Sequence, residues 1–389
     1  MNTGGRDFCG LPCSRRTFIK GSASALALLS LPWRPAGARA QEIQYGWLEP
    51  HPAAFYRSLP DNLVQCQLCP RQCEVLPGDR GECGVRENRQ GKYYSLVYGN
   101  PCAVHVDPIE KKPFFHVLPG SESFSIATAG CNLHCKFCQN FEISQARPEK
   151  TYNFRLPPEQ VVAQARDNGC PSLAYTYVEP MIFYEYMTDV ARLARKAGFL
   201  NTCHSAGYVN AQPLSELAEF LDAACIDLKS FDDKFYREMT GAELQPVLNT
   251  LKALVKKRVH VEIVNLVIPQ YNDQPDTVTR MCAWIKEELG PLTPLHFSRF
   301  YPLYKMQQHY PTPVTTLEQA RELALKAGLK YVYLGNLPGH QAENTWCHQC
   351  GRLVIGRQGY RLTANNLKGG TCGHCGAAIP GLWQRRQPA

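Results

Sequence analysis

The segment Cys131-Asn132-Leu133-His134-Cys135-Lys136-Phe137-Cys138 places three thiols within eight residues, directly after an apolar stretch, Phe124–Ala127, and the pair Ala129-Gly130. Three is an odd number for a closed structural metal site, which normally has four ligands. A cubane iron–sulfur cluster bound by three local cysteines has one iron without a protein ligand. A catalytic cluster requires such an open coordination position. The segment therefore predicts a reactive 4Fe-4S cluster. The alternative is a zinc site completed by His134 or by a distant residue.

Alternating strand-like and helix-like segments surround these cysteines. Glu159–Asn168 and Met181–Ala197 predict helices that end at glycine, and Thr315-x-x-Glu318 predicts a capping box that opens a helix ending at Gly328. Repeated βα units imply a parallel sheet. Residues 116–345 therefore predict an α/β fold, a partial (βα)6 TIM-type barrel that stays open. Its strands are predicted from short runs of β-branched and aromatic residues: Phe124–Ala127, Ser172–Tyr177, Asn201–Ser205, Ala224–Leu228, His260–Ile268, Leu295–Phe300 and Tyr331–Leu334.

Polar residues lie at the ends of several predicted strands, where barrels of this kind gather their chemistry. Glu179 follows the second strand, Ser205 ends the third, Lys229 follows the fourth and Asn265 lies within the fifth. We expect these side chains to share one rim with Cys131–Cys138. A structural alternative stays open for each of them; Lys229 would then be solvated, and Asn265 would satisfy a buried backbone group.

A second group of four thiols, the N-terminal cysteine set, lies in a cysteine-rich segment that spans residues 41–115. It comprises Cys66, Cys69, Cys73 and Cys83 and is surrounded by turn residues such as Pro77-Gly78-Asp79. Little apolar core is available locally, so a bound metal would supply stability. The spacing matches neither ferredoxin pattern, and both zinc and an auxiliary iron–sulfur cluster remain open.

A third group, the C-terminal cysteine set, comprises two Cys-x-x-Cys-Gly turns within residues 346–389. Cys347 and Cys350 form the first turn, Cys372 and Cys375 form the second, and a strand-like segment, Leu353–Leu362, separates them. Such turns aim four thiolates at one metal in a tetrahedral site. The pattern predicts a zinc ribbon or a rubredoxin-like iron site, which sequence does not separate. Disulfides are the alternative, because an even cysteine count in an exported protein usually indicates them.

The first forty residues have the features of an export signal. Ser14-Arg15-Arg16-Thr17-Phe18-Ile19-Lys20 is a twin-arginine pattern, Ala23–Leu31 is a weakly apolar stretch, and Ala38-Arg39-Ala40 is a small-x-small cleavage site. Residues 1–40 are therefore predicted to be a twin-arginine (Tat) signal peptide, with a periplasmic mature protein. The alternative is a cytoplasmic or inner-membrane-associated protein that keeps its signal uncleaved.

Composition excludes several classes of protein. The chain has 389 residues, 44% of them hydrophobic and 20% charged, which excludes a disordered tail or a disulfide-stapled miniprotein. Of the net charge of +8, residues 1–40 contribute +5, so the remaining chain is nearly neutral. We therefore expect no nucleic-acid partner. Ala23–Leu31 is too short to span a bilayer, so no transmembrane span is expected.

The motifs together resemble the radical S-adenosylmethionine (SAM) superfamily. Cys131-x-x-x-Cys135-x-x-Cys138 after a first strand is the signature of that superfamily, and the resemblance runs from about Gln65 to Gly376. The sequence motifs around this signature resemble the AmmeMemoRadiSam-system branch, which is related to pyruvate formate-lyase activating enzymes. The export signal, Cys102, and Tyr177-Val178 in place of two glycines depart from it. The segments that carry this resemblance are Asp107–Pro113, Ala129–Leu133, Phe137–Asn140, Tyr175–Pro180, Asp227–Lys229 and Gly335-Asn336.

This resemblance implies an iron–sulfur oxidoreductase that reductively cleaves SAM to a 5′-deoxyadenosyl radical, which abstracts hydrogen from a protein or peptide in the manner of a glycyl-radical activase. It implies catalysis at Cys131, Cys135 and Cys138. SAM contacts are implied at Glu179, Lys229 and Asn265, with Ser205 beside them. Implied partners are a flavodoxin or ferredoxin reductant and Memo-type or AMMECR-type proteins. The alternative is a non-catalytic electron carrier with several iron–sulfur clusters.

Overall fold

The structure is a computed structural model that describes residues 42–387. The predicted signal peptide of residues 1–40, with Cys9 and Cys13, lies outside the described residues. Among the helices of residues 42–387, none is long and apolar enough to cross a bilayer.

An eight-stranded sheet forms the centre of the molecule. Seven of its strands are parallel, and the eighth, Ala103–Pro108, is an antiparallel edge strand beside Glu122–Ala127. Six crossovers link the seven parallel strands, and the sheet has two free edges among the described strands. The predicted open α/β barrel is therefore confirmed. In sheet order, the strands are Val332–Gly335, Leu295–Arg299, His260–Val267, Ala223–Asp227, Leu200–Ser205, Ser172–Tyr175, Glu122–Ala127 and Ala103–Pro108.

Helices connect the strands and bury their apolar faces against the sheet. Val314–Ala327 begins directly after Pro313, whose backbone is extended, and no side chain caps it. The predicted capping box at Thr315 is therefore wrong, because Thr315 already lies in the first turn. The end at Gly328 is correct, since this glycine has the left-handed φ of 105° that closes the helix. The α-helices are Phe141–Ser144, Pro158–Asp167, Tyr184–Lys196, Ala211–Leu217, Asp233–Phe235, Leu244–Lys256, Pro275–Glu288 and Val314–Ala327.

Small antiparallel sheets make up the N-terminal segment. A buried ion pair joins this segment to the barrel, because Arg86 donates two hydrogen bonds of 3.0 Å to the carboxylate of Glu185 on the helix Tyr184–Lys196. The pairing satisfies both charges away from water. The strands are Ile43–Tyr45 (paired with Tyr152–Phe154), His51–Pro52, Tyr56–Ser58, Val64–Cys66, Glu74–Val75, Arg86–Arg89 and Lys92–Ser95.

The C-terminal segment is built around a β-hairpin. The predicted single strand-like segment Leu353–Leu362 is wrong: Leu353–Gln358 and Arg361–Asn365 are two strands, and the positive φ of 59° at Gly359 makes the turn between them. Buried Arg357 donates to the Phe115 carbonyl at 2.7 Å, which joins the hairpin to the barrel. The remaining short strands are Thr345–Trp346, Leu367–Lys368 and Thr371–Cys372.

Candidate active site in the barrel

The three central cysteines lie in a loop at the carboxyl end of the strand Glu122–Ala127. We call residues Cys131–Cys138 the cysteine loop. Gly130, with a φ of 90°, leads into it, and a Cβ at this position would lie 2.5 Å from the Cys83 carbonyl oxygen. A side chain there would therefore clash with the N-terminal segment, and the glycine is required on steric grounds.

The geometry of the cysteine loop fits an iron–sulfur cubane better than a single ion. Cys131, Cys135 and Cys138 line one cavity. Within residues 42–387, the one group of three or more potential ligands whose donor atoms all lie within 4.8 Å of one another is at the C-terminus, so these three sulfurs are more widely spaced. Wide spacing suits ligands of three different irons, because each sulfur then binds a separate corner.

Burial sets the protonation of these thiols while no metal is bound. Desolvation raises the pKa of the Cys135 thiol to about 12, against the opposing effect of the Lys229 charge. Iron binds the thiolate, so loading the cluster releases a proton from this buried group. Leu133 N donates to Cys131 Sγ at 3.4 Å, and such a contact favours the charged sulfur.

The cavity beside the cysteine loop, which we call the main cavity, has a volume of about 390 Å³. Glu179, Ser205 and Lys229 line it together with the three cysteines. The Glu179 carboxylate is fully buried and accepts hydrogen bonds from Ser205 Oγ at 2.7 Å, from Ala206 N at 2.8 Å and from Met181 N at 3.2 Å. It therefore joins the ends of the second and third parallel strands at the cavity wall.

Lys229 belongs to a line of half-buried polar side chains on the main cavity. Its Nζ lies 2.7 Å from Asp227, and Asp227 also lies 2.8 Å from His204 Nε2. Despite opposing desolvation, these partners hold the pKa of Asp227 well below its usual range and the pKa of Lys229 above its usual range. Lys229 therefore presents a fixed positive charge beside the cysteine loop.

Asn265 is the predicted cofactor residue that the structure does not bring to the main cavity. Its Nδ2 donates to the Leu228 carbonyl at 2.8 Å and lies 3.7 Å from Met281 Sδ on the outer helix layer. Its neighbours Val264 and Leu266 face the cavity instead. Because strand residues alternate between faces, Asn265 points outward, and the structural alternative is the correct one.

Sequence reasoning missed a polar group on the opposite wall of the main cavity. Asp107, Lys112 and Tyr177 converge there: Lys112 Nζ lies 2.5 Å from Asp107 and 3.0 Å from Tyr177 Oη, which donates to Asp107. Burial lowers the pKa of Lys112 to about 8, against the effect of Asp107. Tyr177 stands where related branches have glycine, and the structure gives it a left-handed φ of 68°.

The C-terminal hairpin also reaches the main cavity, which no motif predicted. Glu343, Gly359 and Tyr360 line it beside barrel residues such as His296 and Asn336. The cavity is therefore walled by two parts of the chain that are far apart in sequence.

The C-terminal cysteine set has the dimensions of a single-ion site. The sulfurs of Cys347 and Cys375 are 3.6 Å apart, and those of Cys350 and Cys372 are 3.8 Å apart. A tetrahedron of sulfurs about 2.3 Å from a central zinc has edges of about 3.8 Å, so the set fits one ion. All sixteen cysteines of the described chain are unpaired, and the disulfide alternative is not observed there.

The N-terminal cysteine set is brought together as the sequence indicated. Cys66, Cys69, Cys73 and Cys83 line one small cavity, which also contacts Asn132 of the cysteine loop. Among the described residues, the four sulfurs of the C-terminal set all lie within 4.8 Å of one another, whereas these four do not.

Comparisons with known proteins find the following similarities. The profile of the Radical SAM superfamily matches residues 125–282. An uncharacterised protein of Methanocaldococcus jannaschii is 45% identical over 329 residues, which cover 84% of this chain and 98% of that protein. The pyruvate formate-lyase 1-activating enzyme of Escherichia coli K12 is 22% identical over 52% of this chain and 89% of its own length. A solved domain of a pyruvate-formate lyase-activating enzyme from Bacteroides vulgatus has a TM-score of 0.38 at 13% identity, covering 42% of this chain and 99% of that domain.

Proposed function

The chain belongs to the radical SAM superfamily, and from this premise we propose that it cleaves SAM reductively and uses the product to abstract hydrogen from a protein or peptide. The observation that carries the proposal is the convergence on one cavity of a fixed lysine charge and three cysteine sulfurs that do not all lie within 4.8 Å of one another. A closed structural site requires neither of these features.

The side chains have separable tasks in this proposal. Cys131, Cys135 and Cys138 would hold a 4Fe-4S cluster whose fourth iron faces the main cavity. When bound, the cluster and SAM supply the chemistry, a one-electron reduction that gives methionine and a 5′-deoxyadenosyl radical. Lys229, fixed by Asp227 at 2.7 Å, would neutralise the carboxylate of SAM. Glu179 would accept a hydrogen bond from its ammonium group.

The backbone before Glu179 would position the bound nucleotide. Asn140 Nδ2 donates to the Tyr177 carbonyl at 2.8 Å, and the Tyr177 side chain is tied to Asp107 and Lys112. The peptide groups of Thr176–Val178 are therefore held in one conformation, so little ordering is needed when a ligand binds.

The substrate class and partners are inferred from the named relatives. Among those relatives, the activating enzymes point to a protein substrate and a one-electron reductant, such as flavodoxin or ferredoxin. Assignment to the AmmeMemoRadiSam branch, with Memo-type or AMMECR-type partners, stays a prediction. Zinc at the C-terminal cysteine set and periplasmic export of the mature chain also stay proposals. Sequencing the N-terminus of the protein from fractionated cells tests export, and a start at Gln41 in the periplasm is the expected result.

Anaerobic reconstitution tests the central proposal. The reconstituted chain is reduced with dithionite in the presence of SAM, and 5′-deoxyadenosine and methionine are measured by chromatography. We expect both products in equal amounts, and none from Cys135→Ala. An intact cluster that yields no 5′-deoxyadenosine would overturn the proposal and favour the electron-carrier alternative.

A further inference from the structure

The N-terminal cysteine set has the features of a metal centre. Cys66 ends the strand Val64–Cys66, Cys69, Cys73 and Cys83 follow outside the strands, and all four line one cavity. Cys66 and Cys69 are buried, and Cys73 and Cys83 are partly buried. Each of the other three thiols lies within electrostatic range of Cys66. Four sulfurs thus converge inside the main apolar core, which includes Val64, Leu68 and Val85, so the expectation of little local core is wrong.

Two buried hydrogen-bond donors at this cavity lack a protein acceptor. Tyr93 Oη and Arg86 Nε are buried and have no hydrogen-bond partner among the described residues, and both residues line the cavity. The remaining nitrogens of Arg86 bond to Glu185 and to the Ala54 carbonyl, so only Nε is left over. A buried donor without an acceptor destabilises the fold, because it has lost its hydrogen bonds to water and has gained none in return. A bound group that is negatively charged and accepts hydrogen bonds would remove this cost.

The spacing of the sulfurs distinguishes the candidates for that group. The C-terminal cysteine set shows the compact arrangement that a single ion requires, with sulfurs 3.6 Å and 3.8 Å apart. Within the described chain, the N-terminal set lacks that compactness, as does the cysteine loop. A cubane fits this wider spacing because its four ligands bind separate irons. Its inorganic sulfides add hydrogen-bond acceptors to the four cysteine thiolates, which a zinc site would offer alone.

The N-terminal cysteine set and the cysteine loop are packed directly against each other. Arg71, which lies between Cys69 and Cys73, donates from Nε to the Asn132 carbonyl at 2.5 Å. Asn132 follows Cys131 in the cysteine loop and also lines the cavity of the N-terminal set. The two sites are therefore separated by about one residue.

We propose that Cys66, Cys69, Cys73 and Cys83 bind a second 4Fe-4S cluster, ligated entirely by cysteine and placed directly behind the cysteine loop. With four protein ligands it has no open iron and binds no SAM. Tyr93 Oη and Arg86 Nε donate to its sulfur atoms. This assignment does not depend on the proposed SAM cleavage.

Iron content tests the assignment without any measurement of activity. Anaerobically reconstituted wild-type protein should carry about eight irons per chain, the content of two cubanes. The triple variant Cys131→Ala/Cys135→Ala/Cys138→Ala should keep about four irons, and SAM should leave its electron paramagnetic resonance spectrum unchanged. The matched variant Cys69→Ala/Cys73→Ala should also keep about four, but SAM should alter its spectrum, because its remaining cluster has the open iron.

The control variant is Cys350→Ala/Cys375→Ala, which changes the compact site and should retain about eight irons. A triple variant that contains zinc and no iron would overturn the proposal, as would a wild-type content of about four irons. If the triple variant fails to fold, the wild-type iron content still decides. Tyr93→Phe then gives a second readout, since loss of a donor should move one of two reduction potentials to a more negative value and leave the other unchanged.

Discussion

The cysteine loop and the C-terminal cysteine set use the same ligand atom in opposite ways. The loop spreads three sulfurs around a cavity that also contains Lys229 and Glu179, whereas the C-terminal set gathers four sulfurs within 4.8 Å of one another. In the C-terminal set, Cys350 and Cys375 are exposed. The difference shows that sulfur spacing and the neighbouring cavity indicate chemistry, while the number of cysteines does not.

The largest expected effect separates the two regions by activity. Cys138→Ala should remove one corner ligand of the cluster and lower 5′-deoxyadenosine formation by at least about 1000-fold, because the reduction depends on a bound cluster. Zinc content should stay unchanged. The matched control is Cys282→Ala, which changes a cysteine buried on the outer helix Pro275–Glu288 and should retain activity. Cleavage that survives in Cys138→Ala would remove the functional distinction between the two regions.

The reciprocal change should affect stability far more than the cluster. Removing metal with a zinc chelator, or making Cys350→Ala/Cys375→Ala, should destabilise the hairpin by several kcal/mol, because metal binding supplies folding free energy. Limited proteolysis should then cut within residues 346–387, while iron content is retained. A hairpin that resists protease after metal loss would show that packing alone holds this segment.

A smaller effect concerns acid, which should loosen the C-terminal segment first. His116 Nδ1 donates to the Pro380 carbonyl at 2.6 Å, and Tyr333 Oη donates to His116 Nε2 at 2.6 Å, which requires a neutral ring. Burial lowers the pKa of His116 to about 3. In the unfolded chain the His116 ring takes up a proton near pH 6.5. Its contribution to the free energy of unfolding is therefore complete above that pH and falls by roughly 2 kcal/mol by pH 5.

Thermal unfolding measured between pH 7.5 and pH 5 tests this expectation. His116→Gln should flatten the acid side of the profile. His105→Gln, which changes an exposed histidine, should leave the profile as in the wild type. An unchanged acid slope in His116→Gln would show that His116 does not cause the pH dependence in this range.

The smallest expected effect lies on the wall of the main cavity. Tyr177 adopts a left-handed φ of 68°, which costs a residue with a side chain about 1–2 kcal/mol. Tyr177→Phe should remove the hydroxyl that contacts Lys112 and Asp107, lower the free energy of unfolding by about 1 kcal/mol and weaken SAM binding severalfold. Tyr152→Phe, at an exposed ring, is the control for the loss of a phenol. Equal effects in both variants would show that the Tyr177 hydroxyl does not stabilise the backbone conformation of this residue.

The features that depend on neighbouring residues in the sequence could be predicted from it. The spacing of Cys131, Cys135 and Cys138 and the two Cys-x-x-Cys-Gly turns indicated the metal sites, and β-branched runs located the seven parallel strands to within a few residues. Asn265 could not be placed in the same way. His260–Val267 is buried on both faces, so its sequence shows no alternation that would tell which face a residue occupies.

Contacts between distant segments were invisible to this reasoning. Asp107 and Tyr177 are 70 residues apart in the chain, and Arg357 reaches a carbonyl 242 residues away. Such pairs form only when distant segments of the chain have packed together, and no spacing rule relates them. The capping box failed for a different reason, because the fixed φ of Pro313 starts the helix at Val314 before Thr315 can serve as its cap.

The hairpin tip at Gly359 and Tyr360 has a consequence for biosynthesis. Because it forms part of the main cavity wall, a ribosome must synthesise nearly the entire polypeptide before that wall is complete. During translation the cysteine loop leaves the ribosome far earlier and stays open on that side. The wall is complete only when the hairpin docks through Arg357.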